Sequence, residues 1–190
     1  NDKKTAHVVV ESDLHFAGSN VDGTCKTAKN EFNQLLTFSR HYQSNYSYTK
    51  GDYTIQGVGV SDDDYRVISG LCYVTDGDSS AGFFRRFEGD MSKLAFDNAY
   101  FKTTKSNDQT GAGIIASGFG SASIKVTNSE FYGLAAGAVF GRGGGELTNV
   151  VVEDVKVNGE KYAGGLIGYW NNTFKQNVQI ELAKGEADVS

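Results

Sequence analysis

Residues 163–170 have the sequence AGGLIGYW, an apolar segment interrupted by three glycines. The same beginning, Ala-Gly followed by two mostly apolar residues, occurs at Ala81, Ala112 and Ala136, so that it recurs every 24 to 31 residues. A period of this length is typical of repeat proteins, in which one unit is too short to bury a core and must stack on the next. The repeat therefore predicts a fold built from stacked units.

An alternating run of apolar and polar residues follows each Ala-Gly phrase. The runs are LAFDNAYF (94–101), ASIKVTNSEF (122–131), ELTNVVVEDVKV (146–157) and FKQNVQIEL (174–182). Alternation with a period of two indicates β-strands with one buried face. Stacked coils of such strands form a parallel β-solenoid, in which small Ala-Gly pairs let neighbouring backbones approach closely at the corners. Residues 53–80 are predicted to form an earlier, less regular coil.

The N-terminal part has a different pattern. Residues 7–16, HVVVESDLHF, are predicted to form a strand, and residues 27–38, TAKNEFNQLLTF, carry apolar residues at helical spacing. We interpret this amphipathic helix as a cap over the apolar end of the first coil. The predicted organisation is a single all-β domain over 1–190, with the strand and capping helix in 1–50, the coils in 51–182 and a tail at 183–190.

Composition narrows the classes of function. The formal net charge is −5 and no basic block occurs, which argues against nucleic acid and against an anionic membrane surface as partners. No run approaches the roughly 18 apolar residues of a membrane helix, so no membrane insertion is expected. The 24 glycines occur without any proline, which excludes collagen-like and proline-rich chains.

Cys25 and Cys72 are the two cysteines of the chain. They are too few for a disulfide scaffold and lack the close pairing that a zinc site needs. We predict a disulfide between them on the condition that the protein is secreted, with two buried free thiols as the alternative.

The phrases AGGLIG (163–168) and AGAVFG (136–141), with the alternating run after each, resemble the GLUG-type repeats of bacterial surface proteins. The upstream order of TAKNEFNQLLTF, YTI, VISGL and AGFF is similar to the start of right-handed parallel β-helix domains in secreted and cell-surface adhesin-like proteins. The resemblance covers residues 27–182. It implies a right-handed parallel β-helix, an extracellular or cell-surface location and a structural or adhesive role.

Motifs that suggest catalysis are weak. GAGIIA (111–116) matches a dinucleotide fingerprint without the helix that should follow, and GRGGGE (141–146), which lacks the Lys-Ser/Thr of a phosphate loop, is interpreted as a coil corner. The acidic turn of Asp62, Asp63 and Asp64 is a weak candidate for calcium, with a solvated turn as the favoured interpretation. No catalytic residue, resident metal or cofactor is predicted.

Aromatic residues are better candidates for ligand or interface contacts. They form two groups, Tyr42, Tyr46 and Tyr48 in a short polar segment, and Tyr169 and Trp170 ahead of an asparagine pair. Rings flanked by amides suit stacking on sugar rings or packing at a protein interface. Packing of these rings into the core or the cap is an equally weighted alternative.

Two sequons, beginning at Asn45 and Asn171, permit N-glycosylation. The sequence favours a non-catalytic extracellular structural or adhesive protein whose partner is a surface glycan, another protein or a further copy of itself. The last run lacks a predicted cap, so head-to-tail stacking into filaments, with HVVV as the pairing segment, is one hypothesis. The alternative is a carbohydrate-binding module or, by analogy of fold, a polysaccharide-active β-helix enzyme.

Overall fold

A computed structural model of the chain describes residues 5–16, 18–21, 24–26, 53–59, 61, 64–76, 80–104, 110–170 and 180–190. These residues contain strands and no helix. The strands are β1 (Ala6–Val10), β2 (Leu14–His15), β3 (Ser19–Val21), β4 (Thr24–Lys26), β5 (Tyr53–Gly57), β6 (Arg66–Ser69), β7 (Cys72–Thr75), β8 (Phe87–Asp97), β9 (Tyr100–Thr103), β10 (Gly111–Ala112), β11 (Ile115–Thr127), β12 (Glu130–Gly137), β13 (Phe140–Gly164), β14 (Ile167–Tyr169) and β15 (Ile180–Val189). The predicted helix at 27–38 lies outside the described residues.

Strands from successive coils pair in parallel. The longest path through the sheet runs β1-β5-β8-β11-β13, and β15 pairs with β13 beyond it. On a second side of the coil, β7 pairs with β9, β9 with β12 and β12 with β13. This arrangement confirms the predicted parallel β-solenoid, and the strands β5, β6 and β7 within the range 53–80 belong to an early coil.

The Ala-Gly phrases form a column through the stack. Ala81 bridges Ala112, Ala112 pairs with Ala136, and Ala136 pairs with Ala163. A Cβ atom on Gly82 would lie 2.4 Å from the carbonyl oxygen of Gly113 in the next coil, a distance that no side chain tolerates. The predicted reason for the glycines, close approach of stacked backbones, is therefore confirmed.

The alternating runs supply the core. Phe96, Val126 and Val152 occupy one register position in β8, β11 and β13, and all three are buried. The largest fully buried side chains include six aromatic ones: Phe84, Phe87, Phe96, Phe101, Phe131 and Phe140. Their burial excludes water from the inside of the coil, and apolar burial is the main driving force of folding.

An antiparallel hairpin, β3–β4, leaves the solenoid and is tied back to it by a disulfide. Cys25 in β4 is bonded to Cys72 in β7, with a Cα–Cα distance of 5.5 Å across 47 residues of sequence. The predicted disulfide is therefore confirmed.

Three local expectations differ from the structure. Residues 7–16 form two strands rather than one, because the carboxylate of Asp13 accepts a hydrogen bond from the Val67 N–H (2.9 Å) and the chain bends before β2. GRGGGE is not a corner: it lies within β13, where Gly143 and Gly145 pair with Gly118 and Gly120. The expected tail at 183–190 instead belongs largely to β15, which continues to Val189 and pairs with β13.

None of the described residues belongs to a helix long and apolar enough to cross a membrane.

Candidate functional site

The outer surface of β8, β11 and β13 carries a regular grid of side chains, which we call the aromatic face. Along each strand, half-buried residues alternate with buried ones, so the half-buried residues share the outer side. The face consists of Arg86, Glu88 and Asp90 from the β8 region, Ser117, Phe119 and Ser121 from β11, Arg142, Gly144 and Glu146 from β13, and Tyr169 and Trp170 from the end of β14.

The strand register aligns these residues in three columns. Glu88, Phe119 and Gly144 form the central column. Ser117, Arg142 and Tyr169 form a column on one side of it.

On the other side, Asp90, Ser121 and Glu146 form the third column. Neighbouring members of a column are about 4.8 Å apart, the separation of paired strands. Phe119 and Gly144, above Glu88 in the central column, therefore form an apolar stripe between two columns that carry mainly polar side chains.

Trp170 completes the central column by lying on Gly144. A Cβ atom built on Gly144 would be 2.0 Å from Cζ3 and 2.2 Å from Cε3 of the indole, so only glycine leaves room for this ring. Trp170 itself is half-buried. Because Arg142 and Glu146 lie two residues on either side of Gly144, the indole lies between a guanidinium and a carboxylate.

Tyr169 connects the indole to a cation and to a second tyrosine. The Arg142 guanidinium lies 4.8 Å from the centroid of the Tyr169 ring, within cation–π range. The Tyr162 ring lies 4.6 Å from that of Tyr169 at an interplanar angle of 44°. These contacts fix the orientation of Tyr169 beside Trp170.

Two polar contacts fix the orientation of side chains at the β8 end of the aromatic face. Arg86 donates hydrogen bonds to Oε1 of Glu88 through Nε (3.0 Å) and Nη2 (2.7 Å). The hydroxyl of Ser121 donates to Oδ1 of Asp90. Charged groups of both signs are therefore held in place around Phe119.

A further polar column crosses β2, β6, β8 and β11. His15 Nδ1 and Ser69 Oγ are 2.7 Å apart, and Thr127 Oγ1 donates to Oδ1 of Asp97 (2.8 Å). Because Ser69 pairs with Asp97 and Asp97 with Thr127, these residues share one register position. His15 and His7 are both exposed.

A second aromatic cluster lies on the β9–β12–β13 side. The rings of Tyr100 and Tyr132 are 5.5 Å apart, the Tyr132 hydroxyl donates to Glu130, and Lys156 Nζ lies 5.6 Å from the centroid of Tyr132. Burial raises the pKa of Tyr100 above 10.0, and the neighbouring Tyr132 and Glu130 act in the same direction. Burial also raises the pKa of Tyr132 above 10.0, and its hydrogen bond with Glu130 adds to this effect. The hydrogen bond with Tyr132 raises the pKa of Lys156.

Two of the predicted aromatic candidates, Tyr169 and Trp170, are brought together with Arg142. Most of the other candidates lie outside the described residues: Tyr42, Tyr46, Tyr48, the sequon residues Asn45 and Asn171, and the acidic residues Asp62 and Asp63. Asp64 is described, and its carboxylate accepts a hydrogen bond from the Ser61 N–H (2.9 Å) within the turn. Across the described ranges, no group of three or more His, Cys, Asp and Glu residues is placed to hold a metal ion.

Phe119, Arg142 and Gly144 were not predicted as site residues. Phe119 and Gly144 are 25 positions apart, and only the strand register places them next to each other. The two segments that pair, GFGSAS (118–123) and GGGELT (143–148), begin 6 residues after Ala112 and 7 residues after Ala136, so counting from the Ala-Gly phrases alone does not align them. Phe119 and Gly144 are the second residues of these segments, and only the structure shows that Trp170 covers the glycine.

No family model, no curated protein and no solved structure matches this chain.

Proposed function

We propose that this chain is a non-catalytic structural and adhesive β-solenoid of the cell exterior. The observation that carries the proposal is the aromatic face, an apolar stripe bordered by fixed donors and acceptors on a rigid stack of parallel strands. Exposed rings with polar borders are typical of surfaces that bind partners. The Cys25–Cys72 disulfide supports an oxidising location, because disulfides persist mainly outside the reducing cytosol.

The resemblance to GLUG-type repeats and adhesin-like β-helices supports the same proposal. We further propose that the coils wind with a right hand, since connections between parallel strands do so in nearly all proteins. In this proposal the helix predicted at 27–38 caps the first coil.

Adhesion is tested with beads that carry the purified chain. The beads are applied to surfaces coated with polysaccharides, with extracellular proteins or with a blocking agent alone, and retention under flow is measured. We expect retention on a ligand-coated surface and none on the blocked surface. Release of new reducing ends from the polysaccharides would instead support the enzyme alternative, and equal retention everywhere would contradict adhesion.

The extracellular location is tested separately in the cells that produce the protein. A protease that does not enter intact cells should remove a tagged form of the chain from the surface, or the chain should be found in the medium. Full protection of the tagged chain until the cells are lysed would overturn this part of the proposal.

Self-assembly is a second candidate function, favoured by exposed apolar side chains in β1 and β2. Val8 and Leu14 continue the core columns of Ile55 and Ile68, yet their exposed fractions are 37% and 38%. Within the described part of the chain, β1 and β2 pair only on one edge, with β5 and β6. In this candidate a second copy, in place of the proposed helical cap, pairs with the other edge and buries both side chains by strand addition.

Light scattering after size-exclusion chromatography and electron microscopy test this candidate. If copies pair through this edge, the mass rises with protein concentration, and Val8→Lys with Leu14→Lys returns the chain to a monomer. A monomer at every concentration, or a mass that the double variant does not change, would contradict it.

A further inference from the structure

We infer that the aromatic face is a binding site for a neutral polysaccharide, an inference that rests on the proposed adhesive function and names its ligand class. Sugar rings have apolar C–H faces and a border of hydroxyl groups. The aromatic face has the complementary arrangement, with Phe119 and Trp170 in the centre and polar side chains in the two flanking columns.

The apolar stripe runs along the stacking direction of the solenoid. Trp170 lies over Gly144, which pairs with Phe119, so the two rings occupy adjacent layers of the stack about 4.8 Å apart. A linear chain that lies along this direction contacts both rings with consecutive sugar faces. Burial of aromatic surface of this kind contributes most of the binding energy in small interfaces.

The flanking columns match hydroxyl groups, which both donate and accept hydrogen bonds. Arg142 supplies N–H donors on one side of the indole, and Glu146 supplies carboxylate acceptors on the other. Ser117 and Ser121 extend the same two columns into the next layer. Hydrogen-bond donors and acceptors therefore border the stripe in both layers.

The charges of the face favour a neutral ligand over an acidic one. The carboxylates of Glu88, Asp90 and Glu146 outnumber the guanidinium groups of Arg86 and Arg142. Arg86 is already paired with Glu88, and the Arg142 guanidinium lies against the Tyr169 ring. A polysaccharide rich in carboxylate or sulfate would therefore meet net negative charge, which weakens its binding.

Trp170 is the single tryptophan of the chain, so its fluorescence reports on the face directly. Emission spectra are recorded while neutral polysaccharides (mannan, galactan, β-glucan and dextran) or acidic ones (alginate and heparin) are added. We expect at least one neutral polymer to shift or quench the emission in a saturable manner and to protect the indole from acrylamide. The acidic polymers should have no such effect at the same sugar concentration.

Two variants and one control test the contribution of the ring by affinity gel electrophoresis, which needs no fluorophore. Trp170→Ala should weaken binding of the neutral polymer at least about tenfold, equivalent to about 1.4 kcal/mol. Gly144→Ala removes no recognition group but takes the space of the indole, and should weaken binding several-fold. Tyr65→Ala removes a half-buried, cation-contacting ring outside the face and should leave binding unchanged.

Three outcomes would overturn the inference, and they differ in what they mean for the adhesive proposal. Binding of a neutral polymer that survives both Trp170→Ala and Gly144→Ala in folded protein, checked by circular dichroism, would overturn the inference and leave the adhesive proposal standing. Binding of acidic polymers alone, or of proteins alone in the bead assay, would also overturn it and keep adhesion. A chain that binds no polysaccharide and no coated surface contradicts both.

Discussion

Three polar residues, Asn98, Asn128 and Asp154, turn the chain at equivalent corners of successive coils. Their φ angles are 52°, 50° and 52°, in the left-handed region that non-glycine residues rarely adopt. The side-chain amide of Asn128 donates to Oδ1 of Asp97 (2.7 Å), and its N–H donates to the carbonyl of Glu153 (3.1 Å). Asn and Asp tolerate this conformation better than other residues, which explains why they recur at these corners.

Substitution of Asp154 tests this assignment. Asp154→Val should lower the free energy of unfolding by about 1–2 kcal/mol, because a β-branched side chain disfavours the left-handed conformation. Asp154→Gly should cost less than Asp154→Val, since glycine adopts a positive φ without steric penalty. Urea denaturation measures both variants, and equal losses of stability would contradict the assignment.

At the scale of the element, a disulfide attaches the β3–β4 hairpin to the solenoid in addition to the chain itself. The hairpin pairs only within itself among the described strands, and Cys25 joins it to Cys72 in β7. The disulfide therefore restricts the unfolded chain over a long loop while it holds the hairpin against the coil.

We expect removal of the disulfide by Cys25→Ser together with Cys72→Ser to lower the free energy of unfolding by about 4 kcal/mol, from the entropy of closing this loop. Urea denaturation with and without a reducing agent measures the effect. The reducing agent should lower the midpoint of the wild type and leave the double variant unchanged. Identical midpoints for the oxidised wild type and the double variant would show that the bond does not stabilise the fold.

We expect the aromatic cluster of Tyr100 and Tyr132, which joins β9, β12 and β13, to make the fold less stable at alkaline pH. The pKa values of Tyr100 and Tyr132 are raised in the folded chain, chiefly by burial. Above pH 10 the unfolded tyrosines lose protons that the folded ones retain, so the free energy of unfolding is intact below pH 10 and falls as the pH rises through the raised values. Lys156, whose pKa is also raised, contributes in the same direction.

Denaturation curves between pH 8 and pH 11.5 test this prediction. Tyr132→Phe should reduce the alkaline slope and, because the bond to Glu130 is lost, cost about 1 kcal/mol at neutral pH. Tyr73→Phe removes a hydroxyl outside the cluster and is the matched control, with a slope like that of the wild type. A Tyr132→Phe slope as steep as that of the control would contradict the role of the cluster.

At the scale of the whole molecule, the position of a residue in the stack determines its burial. Leu94 lies in β8, between strands of neighbouring coils, and its exposed fraction is 0%. Leu14 also points toward the core, but it lies in β2, which pairs only with β6 in the described part of the chain, and its exposed fraction is 38%. A solenoid is stabilised by contacts between neighbouring coils, so outer coils contribute less than inner ones.

The same substitution at these two positions should therefore have different costs. Leu94→Ala is expected to lower the free energy of unfolding by about 3 kcal/mol or more, because it leaves a cavity in a closed core. Leu14→Ala is expected to cost about 1 kcal/mol or less, because much of its side chain already contacts water. Urea denaturation compares the two variants. Equal losses in the free energy of unfolding would contradict the expectation that outer coils contribute less stability than inner ones.

The sequence by itself determined the repeat and its consequences. Period-two alternation and recurrent Ala-Gly pairs predicted parallel coils, and the column from Ala81 to Ala163 confirms the predicted stacking. These features were predictable because alternation and backbone crowding are local properties that the chain repeats. The disulfide was predicted only on the condition of secretion, since oxidation of two cysteines depends on the redox environment and not on their spacing.

Only the tertiary structure decided which distant residues form the aromatic face. The sequence indicated Tyr169 and Trp170 but not Arg142, Phe119 or Gly144, because contact between them depends on a register whose offset changes by one residue between Ala112, which pairs with Ala136, and Ile115, which pairs with Phe140. A shift of one residue moves a side chain to the opposite face of a strand. The register, which the fold sets through the packing of its core, therefore placed a ring, a cation and a carboxylate on the same surface.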